Sequence, residues 1–208
     1  MKVEGRVGDI SAVPGSENTL ATNGMGSLLV AQSAGKYASA VVKGNVYSGA
    51  NQAGTTWTDE KAAIYTGLAL TNPIGSGKQL VILAAGLSQR VAAGGAVIQD
   101  IWLAGGSSTT AVTHTTPGTP RNMLLGRANM AAGLVDVSCT FPADLTAYLM
   151  PLLSSNTAAV LPESGTISVV DVDGAIIVPS GSYVAICMFE GGAASSKMGC
   201  IVWEEIDE

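Results

Sequence analysis

The sequence predicts an all-β protein: an antiparallel two-sheet sandwich of jelly-roll type with an extended N-terminal arm. Short apolar segments, the best of them with two-residue alternation or many β-branched residues, recur between clusters of Gly, Pro, Asn, Asp and Ser. The helical pattern is weak, and no helices separate the strands as the crossovers of a parallel sheet would require. A length of 208 residues fits one such domain with an additional segment.

The N-terminal arm is predicted to cover residues 1–27, and the sandwich domain residues 28–208. Gly and Pro are frequent in the arm and its isolated apolar positions show no sustained periodicity, which is typical of an extended segment. A disordered terminus is the alternative. The candidate contact residues of the arm are its isolated apolar positions Val7, Ile10, Val13 and Leu20.

The strands follow in order along the rest of the chain. They are predicted at Ser27–Gln32, Tyr37–Tyr47, Ile64–Thr71, Gln79–Ala85, Ala96–Leu103, Leu134–Thr140, Thr166–Val172, Ala175–Val178, Ser182–Phe189 and Gly199–Glu204. Both faces of Tyr183–Phe189 are apolar, which is typical of a strand buried on two sides. Short helices are predicted at Asn122–Ala132 and at Asp144–Met150, before Pro151.

The composition favours an assembly component. Charged residues make up 12% of the chain and hydrophobic residues 47%, whereas about 25% of an ordinary soluble domain is charged. A weakly charged surface is tolerable where neighbouring subunits cover it, although a stable Gly-rich monomer is the alternative. The net charge is −6 and the 10 basic residues are scattered, so no nucleic acid partner is expected.

No segment predicts a membrane span or a secretory signal. The longest apolar run, at residues 80–87, is much too short to cross a bilayer, and the first residues lead into Gly, Asp, Ser and Pro. Three cysteines without a CxxC spacing predict buried free thiols. We expect the protein to be made in a cytoplasm.

No motif for catalysis, cofactor or metal binding is complete. Residues 75–78 resemble a phosphate loop but lack its first Gly and its helix, so they predict a hairpin. His114 is the only histidine, which excludes the usual metal sites of this fold and gives no catalytic triad. Asp171–Gly174 lacks the later ligands of a calcium loop and predicts a turn. Catalytic, cofactor and metal residues are therefore all predicted to be absent.

A Gly-, Ser-, Thr- and Pro-rich stretch at residues 104–120 predicts a long loop, which in a compact domain is often functional. The candidate contact residues in this loop are Ser107, Thr109, His114 and Thr116. Most of the aromatic residues are expected in the core, since they are only 5% of the chain, but a sugar-stacking surface is the alternative.

Four stretches resemble virion structural proteins of tailed bacteriophages. They are Lys43–Trp57, Tyr65–Leu83, Gly174–Ile186 and Gly199–Glu205, so the resemblance extends over roughly residues 40–205. The last two are similar to the closing strands of jelly-roll head decoration, or cement, proteins. The resemblance implies a homotrimer on the virion capsid surface that binds the major capsid protein and bridges capsomers, with no cofactor and no small-molecule ligand.

Two other functions remain open. One is a receptor- or carbohydrate-binding module of a phage tail or fibre, in which residues 104–120 and Trp57 or Trp102 are exposed. The other is a glycoside-acting enzyme, which needs two carboxylates at a fixed separation.

Overall fold

The computed structural model describes residues 4–6, 17–19, 35–57, 62–91, 97–157, 167–190 and 196–208. The chain divides into two compact units, Met1–Lys43 and Gly44–Glu208. In the first unit, β1 (Glu4–Arg6) pairs antiparallel with β2 (Glu17–Thr19), and helix α1 covers Ala38–Lys43. The rest of the predicted arm lies outside the described residues, so the arm stays a prediction.

The predicted strand at Tyr37–Tyr47 is wrong over its first half. Val41 and Val42 favour a strand locally, but the chain turns into α1, where the amide of Val41 donates to the carbonyl of Tyr37 (2.9 Å). Gly44 follows the helix with φ +80°, a left-handed conformation that ends helices and that glycine adopts without strain. The strand begins only after this residue.

Every regular element described in the second unit is a strand. The unit contains β3 (Val46–Ala50), β4 (Thr55–Thr56), β5 (Ile64–Thr71), β6 (Lys78–Val91), β7 (Val97–Ser107), β8 (Thr113–Pro117), β9 (Arg121–Asn122), β10 (Leu134–Thr140), β11 (Ala147–Thr157), β12 (Ile167–Val178), β13 (Ser182–Glu190) and β14 (Ser196–Asp207). The predicted all-β class is confirmed, and the strands form two antiparallel sheets packed face to face as a β-sandwich.

Sheet 1 has the order β11-β7-β13-β5-β10-β8, and sheet 2 has the order β12-β6-β14-β3-β9, with β4 also paired to β14. Strands that follow each other in sequence, such as β5 and β6 or β13 and β14, mostly lie in opposite sheets. The hairpin predicted at residues 75–78 is therefore wrong, because this connection passes from sheet 1 to sheet 2. Gly75 and Gly77 supply the positive φ values of the turn.

Apolar side chains cover both faces of sheet 1. The core between the sheets contains Leu68, Leu70 and Val184 against Ile201 and Trp203 of sheet 2. The other face carries a second buried cluster, made of Tyr65, Ala69, Cys139, Phe141, Leu145, Tyr183, Ala185 and Cys187 with Ala104. Strand β13 contributes to both clusters, which confirms the prediction that it is buried on two sides.

Several strands have the predicted extent and others are longer. Strands β5 and β10 begin and end at the predicted residues. The predicted strands Thr166–Val172 and Ala175–Val178 are not separate, because their described residues, 167–172 and 175–178, all belong to β12. The two parts are joined by a bulge in which Asp173 and Gly174 have positive φ. The predicted turn at these two residues is thus an irregularity within one strand. The predicted strand Ser27–Gln32 lies outside the described residues.

Both predicted helices of the second unit are wrong. Asn122–Ala132 contains the end of β9 and turns, and Asp144–Met150 leads into β11. Strand β11 is the terminal strand of sheet 1, where Pro151 is tolerated because one side of the strand makes no ladder bonds. The position at the sheet edge, which local sequence does not encode, decides between helix and strand here.

A buried carboxylate fastens the segment before β10 to β14. Glu205 is 5% exposed and accepts hydrogen bonds from the amides of Ala132 (2.9 Å) and Gly133 (2.9 Å) and from the indole Nε1 of Trp203 (3.1 Å). A Cβ at Gly133 would approach the side chains of Leu80 and Trp203 at 3.0 and 3.2 Å. The carboxylate and the glycine together fix the end of the loop that connects β9 to β10.

Candidate functional site

His114 and Asp136 form a polar pair on neighbouring strands. His114 lies on β8 and Asp136 on β10, and His114 Nδ1 is 2.6 Å from Asp136 Oδ2. The carboxylate is fully buried, while 31% of the histidine side chain is exposed. Burial raises the pKa of Asp136, and the hydrogen bond and charge of His114 counteract that rise. Asp136 Oδ1 has no hydrogen-bond partner among the described residues, so within them His114 is the group that compensates the buried acid.

A histidine oriented by a carboxylate is also half of an acyl-transfer site, which needs an activated nucleophile. Cys139 stands opposite His114 in the β8–β10 register. Burial, with smaller contributions from Asp136 and Cys187, raises the pKa of the Cys139 thiol to about 12. The thiol stays protonated at neutral pH and is a poor nucleophile, because the thiolate is the reactive form.

As predicted, Cys139, Cys187 and Cys200 form no disulfide. Cys139 and Cys187 are buried, whereas Cys200 is half-buried. Burial raises the pKa of Cys200, and a backbone hydrogen bond with Gly86 opposes that rise.

A cleft of about 180 Å³ lies beside His114, between the β5–β6 connection and the β7–β8 loop. Asn72 and Tyr183 line it, and in the part of the chain that the structure describes, the buried Asn72 Oδ1 and Tyr183 Oη have no hydrogen-bond partner. The amide nitrogen of Asn72 donates to the carbonyls of Lys78 and Val178, so this side chain primarily joins the two connections at this end of the sandwich.

The long loop predicted at residues 104–120 is wrong. Residues 104–107 complete β7 and residues 113–117 form β8, so that only residues 108–112 separate these strands. The stretch is Thr-rich and therefore suits an exposed edge strand, and all five side chains of β8 are exposed.

The structure does not bring the four predicted residues of this stretch into one site. His114 lines the 180 Å³ cleft. Ser107 lines a cleft of about 240 Å³ between β11 and β12, and Thr116 a cleft of about 380 Å³ beside Arg121. Thr109 is exposed and lines none of these three clefts. The predicted arm residues lie outside the described residues, namely Val7, Ile10, Val13 and Leu20.

The aromatic side chains are mainly in the core, as expected. Trp57 is 3% exposed and Trp203 is fully buried, so the exposure of Trp57 required by one form of the receptor hypothesis is wrong. Trp102 is half-buried and packs against Tyr148, with the ring centroids 5.8 Å apart. The two rings are therefore partly accessible to a ligand.

Exposed apolar side chains at the two lateral edges of the sandwich were not predicted. After β9, Leu125 is 92% and Met130 78% exposed, and on the opposite edge Ile167 and Val169 of β12 are 75% and 72% exposed. The sequence carries a signal for the first pair, since residues 122–132 hold four large apolar residues around a Gly. The same residues predict a short helix, because Leu124, Leu125 and Ala128 would lie on one helical face.

Within the described ranges, no three His, Cys, Asp or Glu side chains lie close enough together to hold a metal ion. Over the same ranges, no helix is long and apolar enough to span a bilayer. Comparison with protein families, with curated proteins and with solved structures finds no match to this chain.

Proposed function

We propose that this chain is a non-enzymatic decoration, or cement, protein that binds the outer shell of a tailed-phage capsid and bridges its subunits. The observation that carries this proposal is the set of large apolar side chains left exposed on a weakly charged sandwich. Leu125, Met130, Ile167 and Val169 are each more than 70% exposed. Such side chains mark protein–protein contacts when they cluster, because covering them with a partner removes apolar area from water.

The strand order supports a fold of jelly-roll type. Without β8, β9 and β10, sheet 2 reads β3-β14-β6-β12 and sheet 1 reads β5-β13-β7-β11. This order places the last two strands between earlier ones, as two interlocked Greek keys do. It agrees with the fold that the resemblance to head decoration proteins implies.

The polar groups support a structural function more than a catalytic one. His114 compensates the buried carboxylate of Asp136. The thiol of Cys139, which stands opposite His114 in the strand register, stays protonated because burial raises its pKa. A homotrimer on the virion surface fits the exposed apolar edges, since each copy would cover part of them. Several weak contacts per particle would then act together through multivalency.

Co-sedimentation with capsids tests this function. The purified chain is mixed with capsids assembled from the major capsid protein of its own phage, and binding to the pellet is measured at increasing concentration. We expect saturable binding at a fixed ratio of chain to capsid protein. Absence of the chain from the pellet at all concentrations would refute the proposal. In the full-length chain, the substitutions Ile10→Asp and Val13→Asp test the arm, which should reduce occupancy if the arm contacts the shell.

A second candidate function is carbohydrate binding at a phage tail or fibre, and the Trp102–Tyr148 pair favours it. Aromatic rings offer large contact area to sugar faces at small entropic cost. A glycan array distinguishes this function: reproducible saccharide binding that is lost in Trp102→Ala would support it. Binding to capsids without saccharide binding would favour decoration.

A further inference from the structure

A protruding apolar loop lies at one lateral edge of the sandwich. This knob loop, residues 123–130, follows β9, and its members Met123, Leu125 and Met130 are 42%, 92% and 78% exposed. Its base is fixed, because Met123 N donates to the carbonyl of Val46 (2.9 Å) and Leu124 N to Asn122 Oδ1 (2.9 Å). The apolar side chains are therefore presented by an anchored turn.

A cleft lined by apolar and hydroxyl side chains lies at the opposite lateral edge, between β11 and β12. This edge cleft has a volume of about 240 Å³, and Leu149 and Ile177, 46% and 49% exposed, are among its lining residues. Gly105 and Gly106 also line the edge cleft, and because they are glycines no side chain at these two positions takes up space in it. An apolar cavity of about 150 Å³ accommodates benzene, so the edge cleft has room for an aliphatic side chain.

Strand pairing is obstructed at this edge. Strands β11 and β12 are the terminal strands of the two sheets and lie side by side, since Ser168 Oγ donates to the carbonyl of Leu152 (2.7 Å). Both strands have bulges, and β11 contains Pro151. Bulges and proline hinder the addition of a further strand. Contacts at this edge would therefore be made by side chains.

The exposed charged side chains of the two edge segments have opposite signs. Residues 107–135 contain Arg121 and Arg127, both exposed, and no Asp or Glu. Residues 147–178 contain no Lys or Arg, and Asp171 and Asp173 on β12 are exposed. Contact of either edge with itself would bring like charges together, whereas contact between the two edges brings opposite charges together, which favours the mixed pairing.

We infer that copies of this chain associate head to tail, with the knob loop of one copy docked in the edge cleft of the next. The contact is heterologous because it uses two different surfaces on opposite edges, and such contacts close into rings when the rotation between copies permits. This inference deepens the self-assembly part of the proposed function and names the surfaces that form its ring. Leu125, which is 92% exposed, is the side chain that we place in the cleft.

A mixing experiment with two variants tests the inference. Leu125→Asp removes the knob and Ile177→Asp blocks the cleft, while Ile64→Asp, at an apolar residue 77% exposed on β5, is the matched control. Light scattering should give a multiple of 20.9 kDa for the wild type and the control, and 20.9 kDa for each edge variant alone. An equimolar mixture of the two edge variants should give twice 20.9 kDa, because one intact knob and one intact cleft remain.

A milder substitution at the same residue measures how much the Leu125 side chain contributes to association. Leu125→Ala should weaken association about 10- to 100-fold, as expected for removing a central aliphatic side chain from an interface. Arg127→Asp should weaken association, and Asp171→Lys in the same chain should restore it, since the reversed charges again attract. Urea unfolding of each variant should match the wild type, since Leu125 and Ile177 are not buried.

Three outcomes would overturn the inference: a wild-type chain that is monomeric at about 100 μM, an edge variant that still assembles alone, or a mixture that stays at 20.9 kDa. Capsid co-sedimentation separates this inference from the proposed function. If the wild type forms the ring but does not bind capsids, the decoration function fails and the interface stands. If capsid binding is normal and the mixture stays monomeric, the interface fails and the decoration function stands.

Discussion

Replacing Glu205 by alanine tests how strongly one carboxylate holds the knob loop to the sandwich. The substitution leaves three donors without their acceptor: the amides of Ala132 and Gly133 and the indole of Trp203. The amide of Gly133 and the indole are buried, and the amide of Ala132 is partly buried. The loop would then be anchored mainly at its β9 end.

The expected loss follows from the cost of unsatisfied donors. Each buried donor without a partner costs about 1–3 kcal/mol, so two buried donors and one partly buried donor predict a loss of about 4 kcal/mol in the free energy of unfolding. This is a large part of the roughly 5–15 kcal/mol that a domain has. Glu205→Gln retains one carbonyl oxygen and should lose about 1–2 kcal/mol.

Urea unfolding followed by tryptophan fluorescence measures these losses as shifts of the midpoint at constant slope. The matched control is Glu208→Ala, whose side chain is exposed and which should change stability by less than about 0.5 kcal/mol. Trypsin provides a local readout, because Arg127 lies in the knob loop and should be cleaved faster in Glu205→Ala than in the wild type. A loss below about 1 kcal/mol with unchanged cleavage would show that Glu205 does not fix this loop.

Two further predictions concern buried groups of sheet 1. Burial raises the pKa of Asp136 above its ordinary 3.8, so the folded state binds the carboxyl proton more tightly than the unfolded state. The wild type should therefore lose stability relative to Asp136→Asn as the pH rises through the pKa of Asp136. Urea unfolding between about pH 3 and pH 7 measures the difference, and a wild-type gain instead would mean that His114 lowers the pKa below its ordinary value. At Gly67, where φ is +154°, a Cβ would overlap Tyr65 Oη. Because this hydroxyl donates to the carbonyl of Ile186, Gly67→Ala should lower the free energy of unfolding by about 2–4 kcal/mol. Thermal unfolding checks this value against Gly75→Ala, whose Cβ would meet no atom within 4 Å, and equal losses would exclude the overlap as the cause.

The local pattern of the sequence was sufficient for strands that are buried on one or two faces. Strands β5, β10 and β13 alternate apolar positions or are apolar throughout, and their bounds follow from flanking Gly, Pro and polar residues. The local pattern did not predict strands whose conformation depends on their position at the edge of a sheet. Strand β11 contains Pro151 and resembles a short helix, and β8 consists of exposed Thr, His and Pro; both are terminal strands.

The candidate site was only partly predictable. His114 was identified from its uniqueness in the chain, but its partner Asp136 was not, although an acid in the middle of the apolar segment Leu134–Thr140 is a signal for a compensating group. The two residues meet because β8 and β10 pair in register. The knob loop was assigned to a helix, since its spacing of apolar residues also fits a helical face.

The sequence by itself determined the all-β class, the buried strands and the scarcity of charge, because side-chain alternation and composition are local properties of the chain. Only the tertiary structure decided which strands become neighbours. Strand β14 lies between β3 and β6, and the basic and acidic segments come to opposite edges, through pairings between residues far apart in sequence. Such pairings depend on burying both apolar faces of sheet 1 at once, which is a property of the whole assembled core rather than of any single segment.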